Sequence, residues 1–458
     1  MTKLPSEIFK AYDIRGIVGR TITNAITRQI GQALGSEIRS GGGKQVVVGR
    51  DGRLSGPELV KHLSDGLLST GCDVIDIGQV PTPVVYFAAY HLDASSAVAV
   101  TGSHNPPDYN GFKMVVNGET ISGERIQGLK QRIERGDLMT GTGTRSEVDV
   151  VEAYIQRIVD DVDLKRPLKL VVDCGNGVAG GVAPELFRRL GCEVIELFCN
   201  IDGTFPNHHP DPSQLENLQD LIKEVAKQNA DVGFAFDGDG DRLGVVSPDG
   251  TNIWPDRQMI LYARDILARN PGAEIIYDVK CSRNLARAIS AAGGKPLMWR
   301  TGHSFIKSKL KHSGAALAGE MSGHIFFKER WYGFDDGAYT GARLLELLSC
   351  DPRPPAEVFA DLPDSVNTPE LRIEMHEGEH FKFMDELSAN ANFSGAEVST
   401  IDGLRADFPN GFGLVRPSNT TPTLIMRFEA DDQAALEQIQ DQFRDLMKRT
   451  RPEVKLPF

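Results

Sequence analysis

The sequence lacks the features that mark membrane proteins and disulfide-rich secreted proteins. No apolar run in the 458 residues approaches the ~18 residues that a membrane-spanning helix needs. The N-terminal stretch MTKLPSEIFKAYDIRG has charged and polar residues where a signal peptide has its apolar region. The cysteines show no CxxC pair and no zinc-like spacing; they are Cys72, Cys174, Cys192, Cys199, Cys281 and Cys350. We therefore expect a cytoplasmic protein with reduced, mostly structural thiols.

The chain also lacks an excess of positive charge. The chain has 50 Lys and Arg residues against 63 Asp and Glu residues, which gives a formal net charge of −13. This balance argues against general binding to nucleic acids or membrane surfaces, since proteins that bind them usually present a basic surface. An anionic ligand would need positive charge that is concentrated locally. With 40% hydrophobic and 25% charged residues, the composition is typical of a globular protein.

The chain contains three copies of one local pattern. Buried-strand runs that end in an aspartate-bearing loop begin the copies: VVVGRDGR at 46–53, LVVDCGNG at 170–177 and IIYDVKCS at 275–282. A helical segment and a second strand, introduced by glycine, follow each run. This order is typical of crossover units in α/β sheets. Because single cores stop growing near ~250 to 300 residues, the repeats predict three related α/β domains with mixed sheets.

Each copy also contains a further short apolar run that leads into a polar loop. The runs AVAV, VGFAF and AALA precede the loops TGSHNP, DGDGDR and GEMSGH. In open α/β sheets, ligand groups gather outside the carboxyl ends of the strands. We therefore expect the three loops to face one shared cleft.

The C-terminal part departs from the repeat. Alternating segments such as LRIEM and TLIMRFEA indicate strands, and QAALEQIQDQFRDLMKR has the apolar spacing of an amphipathic helix. A smaller α+β domain is expected there. The predicted domains are 1–148, 149–251, 252–363 and 364–458, and each contains one of the polar loops described below.

The loop DGDGDR carries alternate carboxylates at Asp237, Asp239 and Asp241, and its glycines let the backbone fold around an ion. Such a set suits a hard cation, Mg²⁺ or Ca²⁺, rather than zinc. An EF-hand would need glycine and glutamate where Arg242 and Pro248 stand, so that interpretation fails. An acidic turn without a metal is the alternative. Since turns rarely need three carboxylates, we predict a metal site.

Ser103 in TGSHNP has no GxSxG frame, because Asn105 occupies the position of the second glycine. Next to a metal site on the equivalent loop, its hydroxyl could carry a phosphoryl group, whose charge the cation and Arg242 would offset. Taken alone, the residue is equally compatible with a turn or a helix cap.

Two further loops suit a phosphorylated sugar. Glu320, Ser322 and His324 in GEMSGH offer groups for hydroxyl recognition, with a hydrated bend as the alternative. In RPSNTTP, the Arg416 guanidinium stands beside hydroxyls and an amide, a combination that can clamp a phosphate. An ordinary turn with a surface arginine accounts for the second loop equally well.

Taken together and in this order, KAYDIRG, TGSHNPPDYNGFK, DGDGDR, TGHSFIK, GEMSGH and RPSNTTP resemble the α-D-phosphohexomutase superfamily. The match spans nearly the whole chain, and several ordered motifs are far more specific than any one. Within the superfamily, the GEMSGH form and the chain length resemble the bacterial phosphomannomutase/phosphoglucomutase group. The resemblance implies four domains around a central active-site cleft, which agrees with the repeats.

The resemblance also implies roles for individual residues. Ser103 would be phosphorylated in the resting enzyme, and it would hold Mg²⁺ together with Asp237, Asp239 and Asp241, with Arg242 near the phosphate. Glu320 and Ser322 would contact sugar hydroxyls. The substrate's non-reacting phosphate would be held by Arg416, Ser418, Asn419 and Thr420. Further matching positions that line the cleft are Tyr12, Arg15, Lys113, Lys280, His303 and His324.

The implied reaction interconverts the 1-phosphates and 6-phosphates of mannose and of glucose, as an isomerase-class intramolecular phosphotransferase. Ser103 would give its phosphoryl group to the substrate, and the resulting hexose 1,6-bisphosphate would reorient and return its other phosphate. Glucose 1,6-bisphosphate is the expected activator. Lys113, Arg15 and His303 are unranked candidates for proton transfer at the sugar hydroxyl.

Alternatives differ in substrate and in class. Phosphoglucosamine mutases have similar motifs but usually show Gln where Met321 stands, and glucose-restricted enzymes usually read GEESAG, so a dual mannose and glucose range is expected. A non-catalytic sugar-phosphate-binding protein and a metal-dependent phosphatase are the competing hypotheses. The expected partners are small hexose phosphates, with no nucleic acid and no membrane, and the chain is expected to be a monomer, with a dimer as the alternative.

Overall fold

The computed structural model describes residues 4–376, 378–419 and 421–458, which build four β-sheets with helices packed on them. The strands of the first sheet are β1 Ile14–Ile17, β2 Gln45–Arg50, β3 Asp73–Gln79, β4 Ser96–Val100, β5 Tyr109–Val116, β6 Glu119–Thr120 and β7 Arg145–Glu147. Its helices are α1 Asn24–Ser40, α2 Gly56–Leu68, α3 Thr82–His91 and α4 Glu124–Arg135.

The second and third domains, each a sheet with its helices, follow along the chain. The second is built from α5 Val151–Val159, β8 Lys169–Asp173, α6 Ala183–Arg189, β9 Glu193–Leu197, α7 Gln219–Gln228, β10 Val232–Phe236, β11 Leu243–Val246 and β12 Asn252–Ile253. The third is built from α8 Pro255–Arg269, β13 Glu274–Asp278, α9 Arg283–Ala291, β14 Lys295–Trp299, α10 His303–Ser313, β15 Leu317–Gly319, β16 Ile325–Phe327, α11 Gly337–Cys350 and α12 Pro355–Ala360.

The three sheets share one topology. Their central strand orders are β3-β2-β4-β5, β9-β8-β10-β11 and β14-β13-β15-β16. In each, the first three strands are parallel and the last is antiparallel. The prediction of three related α/β domains with mixed sheets is therefore confirmed. The boundaries after residues 148, 251 and 363 stay predictions.

The last region is an antiparallel sheet with two helices, as expected for an α+β domain. Its strand order is β17-β22-β21-β20-β19, and β18 also pairs with β22. The elements are β17 Val366–Asn367, β18 Leu371–Glu374, α13 Glu379–Asn390, β19 Glu397–Ser399, β20 Leu404–Phe408, β21 Gly411–Pro417, β22 Thr423–Ala430 and α14 Gln433–Thr450.

Local sequence explains where these elements lie. The strands β4 and β10 are apolar runs in which every residue is buried, as in strands covered on both faces. Asp336 and Asp432 cap α11 and α14, because their carboxylates accept from the backbone N–H groups of Tyr339 and Ala435. Within the described ranges, no helix has both the length and the apolar character needed to cross a bilayer.

The apolar core is continuous across the first three domains and separate in the fourth. One cluster joins α3, α5, α6, α8 and α11 between the first three sheets. The C-terminal sheet packs its own cluster against α13 and α14. Its junction with the third domain combines polar contacts with a small apolar cluster. Arg405 donates to the carbonyls of Val279 and Cys281, and Ser282 donates to Glu429. Val279 packs against Phe412 and Leu414.

Candidate active site

The polar loops of the three repeats lie side by side. The loop after β4 contacts the loop after β10 so closely that a Cβ on Gly238 would lie 2.4 Å from the Ser103 carbonyl oxygen. An isolated bridge then pairs Arg242 of the second loop with His324 of the third. The predicted meeting of the three strand-end loops is confirmed, because equivalent strands place their carboxyl ends on a common side.

Ser103 is buried in a tight turn. Its φ of 50° lies in the left-handed region, which is uncommon for a residue with a side chain. The Ser103 backbone N–H donates to the Thr101 hydroxyl at 2.8 Å. The Ser103 hydroxyl donates to Asp237 Oδ2 at 3.2 Å and lies 3.2 Å from Nδ1 of His104. The turn therefore aims this hydroxyl at the carboxylates of the neighbouring loop.

The three carboxylates of the DGDGDR loop are fully buried and converge. One oxygen each from Asp237, Asp239 and Asp241 lies within 4.8 Å of the others. Lys113 from β5 donates to Asp239 at 2.8 Å and also to Asp241. Thr82 donates to Asp239 at 2.6 Å. Among the described residues, Oδ1 of Asp239 has no hydrogen-bond partner, and Oδ1 of Asp241 has only the Nε2 of His324 nearby, at 3.4 Å.

These residues fit a hard divalent cation. Buried carboxylate oxygens without a partner are costly, and oxygen ligands of this charge are those that Mg²⁺ binds. Burial, and then repulsion from Asp239 and Asp241, raises the pKa of Asp237 well above its usual range. Burial opposes the charge of Lys113, but Asp239 and Asp241 raise its pKa above the ordinary value, so it stays cationic. A second group that could hold a metal joins Asp241, His324 and Asp335.

Arg242 links the serine loop to the loop after β15. A terminal nitrogen of Arg242 lies 2.8 Å from Nδ1 of His104, and its Nε lies 3.3 Å from Nε2 of His324. Its guanidinium also lies 3.6 Å from Asp237. Arg15 reaches the same serine loop from β1, since it donates to the Asn105 side chain at 2.5 Å. Two guanidinium groups thus stand at the Ser103 loop, beside the three carboxylates whose charge a bound cation would offset.

The GEMSGH loop supplies polar groups next to this centre. Glu320 accepts a hydrogen bond from the Gly302 backbone and lies 3.3 Å from His324. The Ser322 hydroxyl lies 3.0 Å from Nδ1 of His324. Burial opposes protonation of His324, but Asp241 and Glu320 raise its pKa to about 9. This imidazole is therefore cationic at neutral pH.

His303 and Tyr12 lie beside the same loop. The His303 ring stacks on His324 with centroids 5.5 Å apart, and the Tyr12 ring meets His303 edge-on at 5.3 Å. Burial, assisted by Lys307, lowers the pKa of His303 well below its ordinary value. Its Nε2 is buried and has no hydrogen-bond partner in the described part of the chain. His303 is thus neutral at neutral pH.

The C-terminal loop predicted to clamp a phosphate begins at the end of β21. Arg416 is buried and makes a two-pronged ion pair with Asp402, at 2.9 and 3.3 Å. Asp402 also accepts from the Thr301 backbone at 2.9 Å, two residues before His303. Ser418 is buried, Asn419 is partly exposed, and Thr420 lies outside the described residues.

Lys280 is separated from the serine centre and lies at the junction with the C-terminal domain. Its ammonium is 3.5 Å from Glu370, and its carbonyl accepts from Arg427. Although burial opposes ionisation, Lys280 and Arg372 lower the pKa of Glu370 to about 2. The structure thus brings together the residues of the first three motif loops and places Lys280 and Arg416 on the side of the fourth domain.

Arg53 is a supporting residue that the sequence patterns did not single out. It is buried and donates to the backbone carbonyls of Ser103, Asn105, Pro106 and Tyr109. The carboxylate of Asp51 orients it at 3.2 Å. Asp51 is the strand-end aspartate of the first repeat, so the repeat pattern could have indicated Asp51 and its neighbour Arg53.

Replacing Arg53 by methionine is expected to destabilise the protein by about 3 kcal/mol, because several buried carbonyls and the Asp51 carboxylate lose their donor. Urea unfolding measures the change. Arg50→Met is the matched control, since Arg50 of the same loop region donates only to the Asp51 carbonyl, at 3.3 Å. Equal losses in the two variants would contradict a special role for Arg53.

Comparison with protein-family models identifies all four regions of the chain. Residues 6–139, 152–250 and 254–366 match the phosphoglucomutase/phosphomannomutase alpha/beta/alpha domains I, II and III. Residues 370–446 match the C-terminal domain of the same group. The matches follow the order of the four sheets.

Comparison with individual proteins gives matches over nearly the full length. A Pseudomonas aeruginosa phosphomannomutase/phosphoglucomutase is 56% identical over 99% of this chain and 98% of its own. A Neisseria meningitidis phosphoglucomutase is 54% identical over 98% of each chain. The crystal structure of a phosphoglucomutase/phosphomannomutase family protein from Burkholderia thailandensis is 58% identical, covers 100% of both chains and superposes with a TM-score of 0.95.

Proposed function

Because this chain belongs to the phosphoglucomutase/phosphomannomutase family, we propose that it interconverts hexose 1-phosphates and hexose 6-phosphates as an intramolecular phosphotransferase. Mannose and glucose phosphates are both substrates in this proposal. One observation carries it: the Ser103 hydroxyl lies 3.2 Å from Asp237 within a buried set of three carboxylates. A hydroxyl beside a hard-cation site suits phosphoryl transfer, in which catalysis is positioning and charge stabilisation.

In the proposed reaction, phosphorylated Ser103 is the resting donor. The bond between its Oγ and phosphorus breaks while a bond forms from phosphorus to a sugar hydroxyl oxygen. The product is a hexose 1,6-bisphosphate, which reorients and returns its other phosphate to Ser103. Asp237, Asp239 and Asp241 would hold Mg²⁺, which neutralises phosphate charge when bound. Glucose 1,6-bisphosphate serves as activator because it can rephosphorylate the serine.

The charge states support a division of roles. His303 is neutral, so it is our candidate for accepting the proton of the attacking sugar hydroxyl. Lys113 contacts two carboxylates and stays cationic. We therefore assign Lys113 to stabilising phosphate charge, together with Arg15 and Arg242. On this basis His303 ranks before Lys113 as the proton acceptor.

Substrate recognition is proposed for the third and fourth loops. Glu320, Ser322 and His324 would contact sugar hydroxyls, next to Tyr12. The far phosphate would bind Arg416, Ser418, Asn419 and Thr420, with Lys280 nearby. Such a clamp serves both orientations of the bisphosphate, a feature that a simple phosphatase would not need.

Replacing Arg416 by lysine is expected to raise the KM for glucose 1-phosphate by about 10-fold or more, with a smaller change in kcat. An ammonium lacks the planar set of N–H donors with which the guanidinium pairs with Asp402 and would bind the phosphate. Steady-state kinetics measures both constants. Arg444→Lys, at a partly exposed position in α14, should leave KM unchanged. An unaltered KM in the Arg416 variant would remove the clamp assignment.

The test of the function is an assay that compares mannose, glucose and glucosamine 1-phosphates, with Mg²⁺ and a catalytic amount of glucose 1,6-bisphosphate. We expect mannose and glucose 6-phosphates to form with little release of inorganic phosphate. Reaction of the glucosamine sugar alone would reassign the chain to the phosphoglucosamine mutases. Stoichiometric phosphate release would indicate a phosphatase, and binding without conversion a non-catalytic protein.

We also propose that the protein works in the cytoplasm as a monomer. All six cysteines are free thiols, which suits a reducing compartment. Its proposed partners are small hexose phosphates.

A further inference from the structure

Two buried cysteines of the second domain are in contact. Cys174 directly follows β8 and Cys199 follows β9, the parallel strand beside it. Their sulfur atoms lie 3.4 Å apart. Two backbone hydrogen bonds join the strand ends: the Cys174 N–H donates to the Leu197 carbonyl, and the Asn176 N–H donates to the Phe198 carbonyl. The sulfur contact is therefore fixed by the sheet.

The other cysteines have different neighbours. Cys72 lies 3.5 Å from the Gly35 carbonyl, and Cys281 lies 3.1 Å from the Asp278 carboxylate. Cys192 is buried and directly precedes β9, and Cys350 is exposed at the end of α11. The pair of Cys174 and Cys199 thus combines proximity with shared burial.

We propose that Cys174 and Cys199 form a reversible disulfide when the protein meets a two-electron oxidant of the peroxide class. The thiolate of Cys199, the more accessible of the two, attacks a peroxide oxygen and becomes a sulfenic acid, releasing hydroxide. The Cys174 sulfur then attacks that sulfenic sulfur, the S–S bond forms, and a second hydroxide leaves. The two thiol protons combine with the hydroxides, so hydrogen peroxide yields two waters and both cysteines are oxidised.

Burial slows the oxidation of Cys199 by peroxide, and the proximity of the two sulfurs favours formation of the S–S bond. Burial and the neighbouring Cys199 raise the pKa of Cys174, so this thiol is a poor first target. Once Cys199 is oxidised, the adjacent sulfur reacts within the same molecule, which gives it a high effective concentration. The S–S separation then closes from 3.4 Å to about 2.05 Å.

This disulfide would act on the metal loop through the backbone. The segment after Cys174 packs directly against DGDGDR: the Val178 N–H donates to the Gly238 carbonyl, and a Cβ on Gly177 would lie 3.1 Å from the Asp237 carbonyl. Gly177 N–H in turn donates to the Cys174 carbonyl at 2.7 Å. A shift at Cys174 is therefore transmitted to Asp237, and we expect the oxidised protein to need more Mg²⁺ for activity, by about 10-fold.

The test uses the full chain in a Cys350→Ser background, which removes the exposed thiol. The protein is treated with hydrogen peroxide, unfolded, alkylated and digested. The expected result is a mass loss of two hydrogens, a peptide that joins residues 174 and 199, alkylation of Cys72, Cys192 and Cys281 only, and full reversal by dithiothreitol. Sulfinic acid on either cysteine, or an unlinked pair after other buried cysteines have been oxidised, would overturn the proposal.

The functional arm compares this protein with Cys199→Ser/Cys350→Ser. We expect peroxide to raise the Mg²⁺ concentration for half-maximal mutase activity in the first protein and to leave it unchanged in the second. Equal responses in both would overturn the link to the metal loop. Because the linked peptide is detected by mass, failure of the proposed mutase function would be distinguished from failure of the disulfide.

Discussion

Ser103→Ala is expected to lower mutase turnover by at least about 10⁴-fold, because the variant has no hydroxyl to carry the phosphoryl group. The fold should persist. Alanine meets the same backbone requirement as serine at a φ of 50°, and the lost side-chain hydrogen bond to Asp237 is a long one of 3.2 Å. Turnover is measured with glucose 1-phosphate, and phosphorylation by intact-protein mass after incubation with glucose 1,6-bisphosphate.

The matched control for this substitution is Ser64→Ala. The Ser64 hydroxyl is also buried, in α2, and has no hydrogen-bond partner among the residues that the structure describes, so its loss should affect neither turnover nor phosphorylation. The parent and Ser64→Ala should each gain one phosphoryl group on Ser103, and Ser103→Ala should gain none. Turnover of Ser103→Ala within about 10-fold of the parent would contradict the phosphoserine mechanism, because removing a nucleophile typically costs far more.

Asp237→Asn should lower activity by about 10²-fold or more and weaken Mg²⁺ binding, since the amide keeps the shape of the ligand but removes its charge. In EDTA the same variant should unfold at an equal or higher temperature than the parent. The reason is that burial and repulsion from Asp239 and Asp241 oppose ionisation of Asp237, and a neutral amide avoids that cost. Activity and resistance to unfolding therefore change in opposite directions.

Two measurements separate these effects. Calorimetric titration with MgCl₂ gives the affinity, and thermal unfolding with and without Mg²⁺ gives the stabilisation by the ion, which the parent should show and Asp237→Asn should lose. Asp220→Asn is the control, because Asp220 of α7 makes only a surface ion pair with Lys223. An unchanged Mg²⁺ dependence in Asp237→Asn would remove this carboxylate from the metal site.

Much of the fold was predictable because its signals are local. The buried runs that became β4 and β10 are continuous apolar segments, and such segments form strands covered on both faces. The threefold recurrence of strand, helix and strand predicted equivalent sheets, and equivalence alone placed Ser103 and Asp237 at matching strand ends. The domain limits are less well determined, since short edge strands such as β12 carry little sequence signal.

The supporting residues of the site were not predictable in the same way. Arg53 looks like an ordinary charged residue after a strand, yet it donates to carbonyls that are 50 and 52 residues away. Asp402 reads as a turn residue, yet it joins Arg416 to the Thr301 backbone. Their partners are distant in the chain, so no spacing pattern could reveal them. The contact of Cys174 with Cys199 depends likewise on the pairing of β8 with β9.

The repeats, the chemistry of the loops and the family resemblance can be predicted from the chain alone, because periodicity and residue type are properties of neighbouring positions. The charge states depend instead on how the domains pack. Burial lowers the pKa of both histidines; Lys307 adds to this effect at His303, whereas Asp241, 3.4 Å from His324, reverses it there. A pKa depends on burial and on which charges lie within a few ångströms, and the packing of separate domains determines those neighbours.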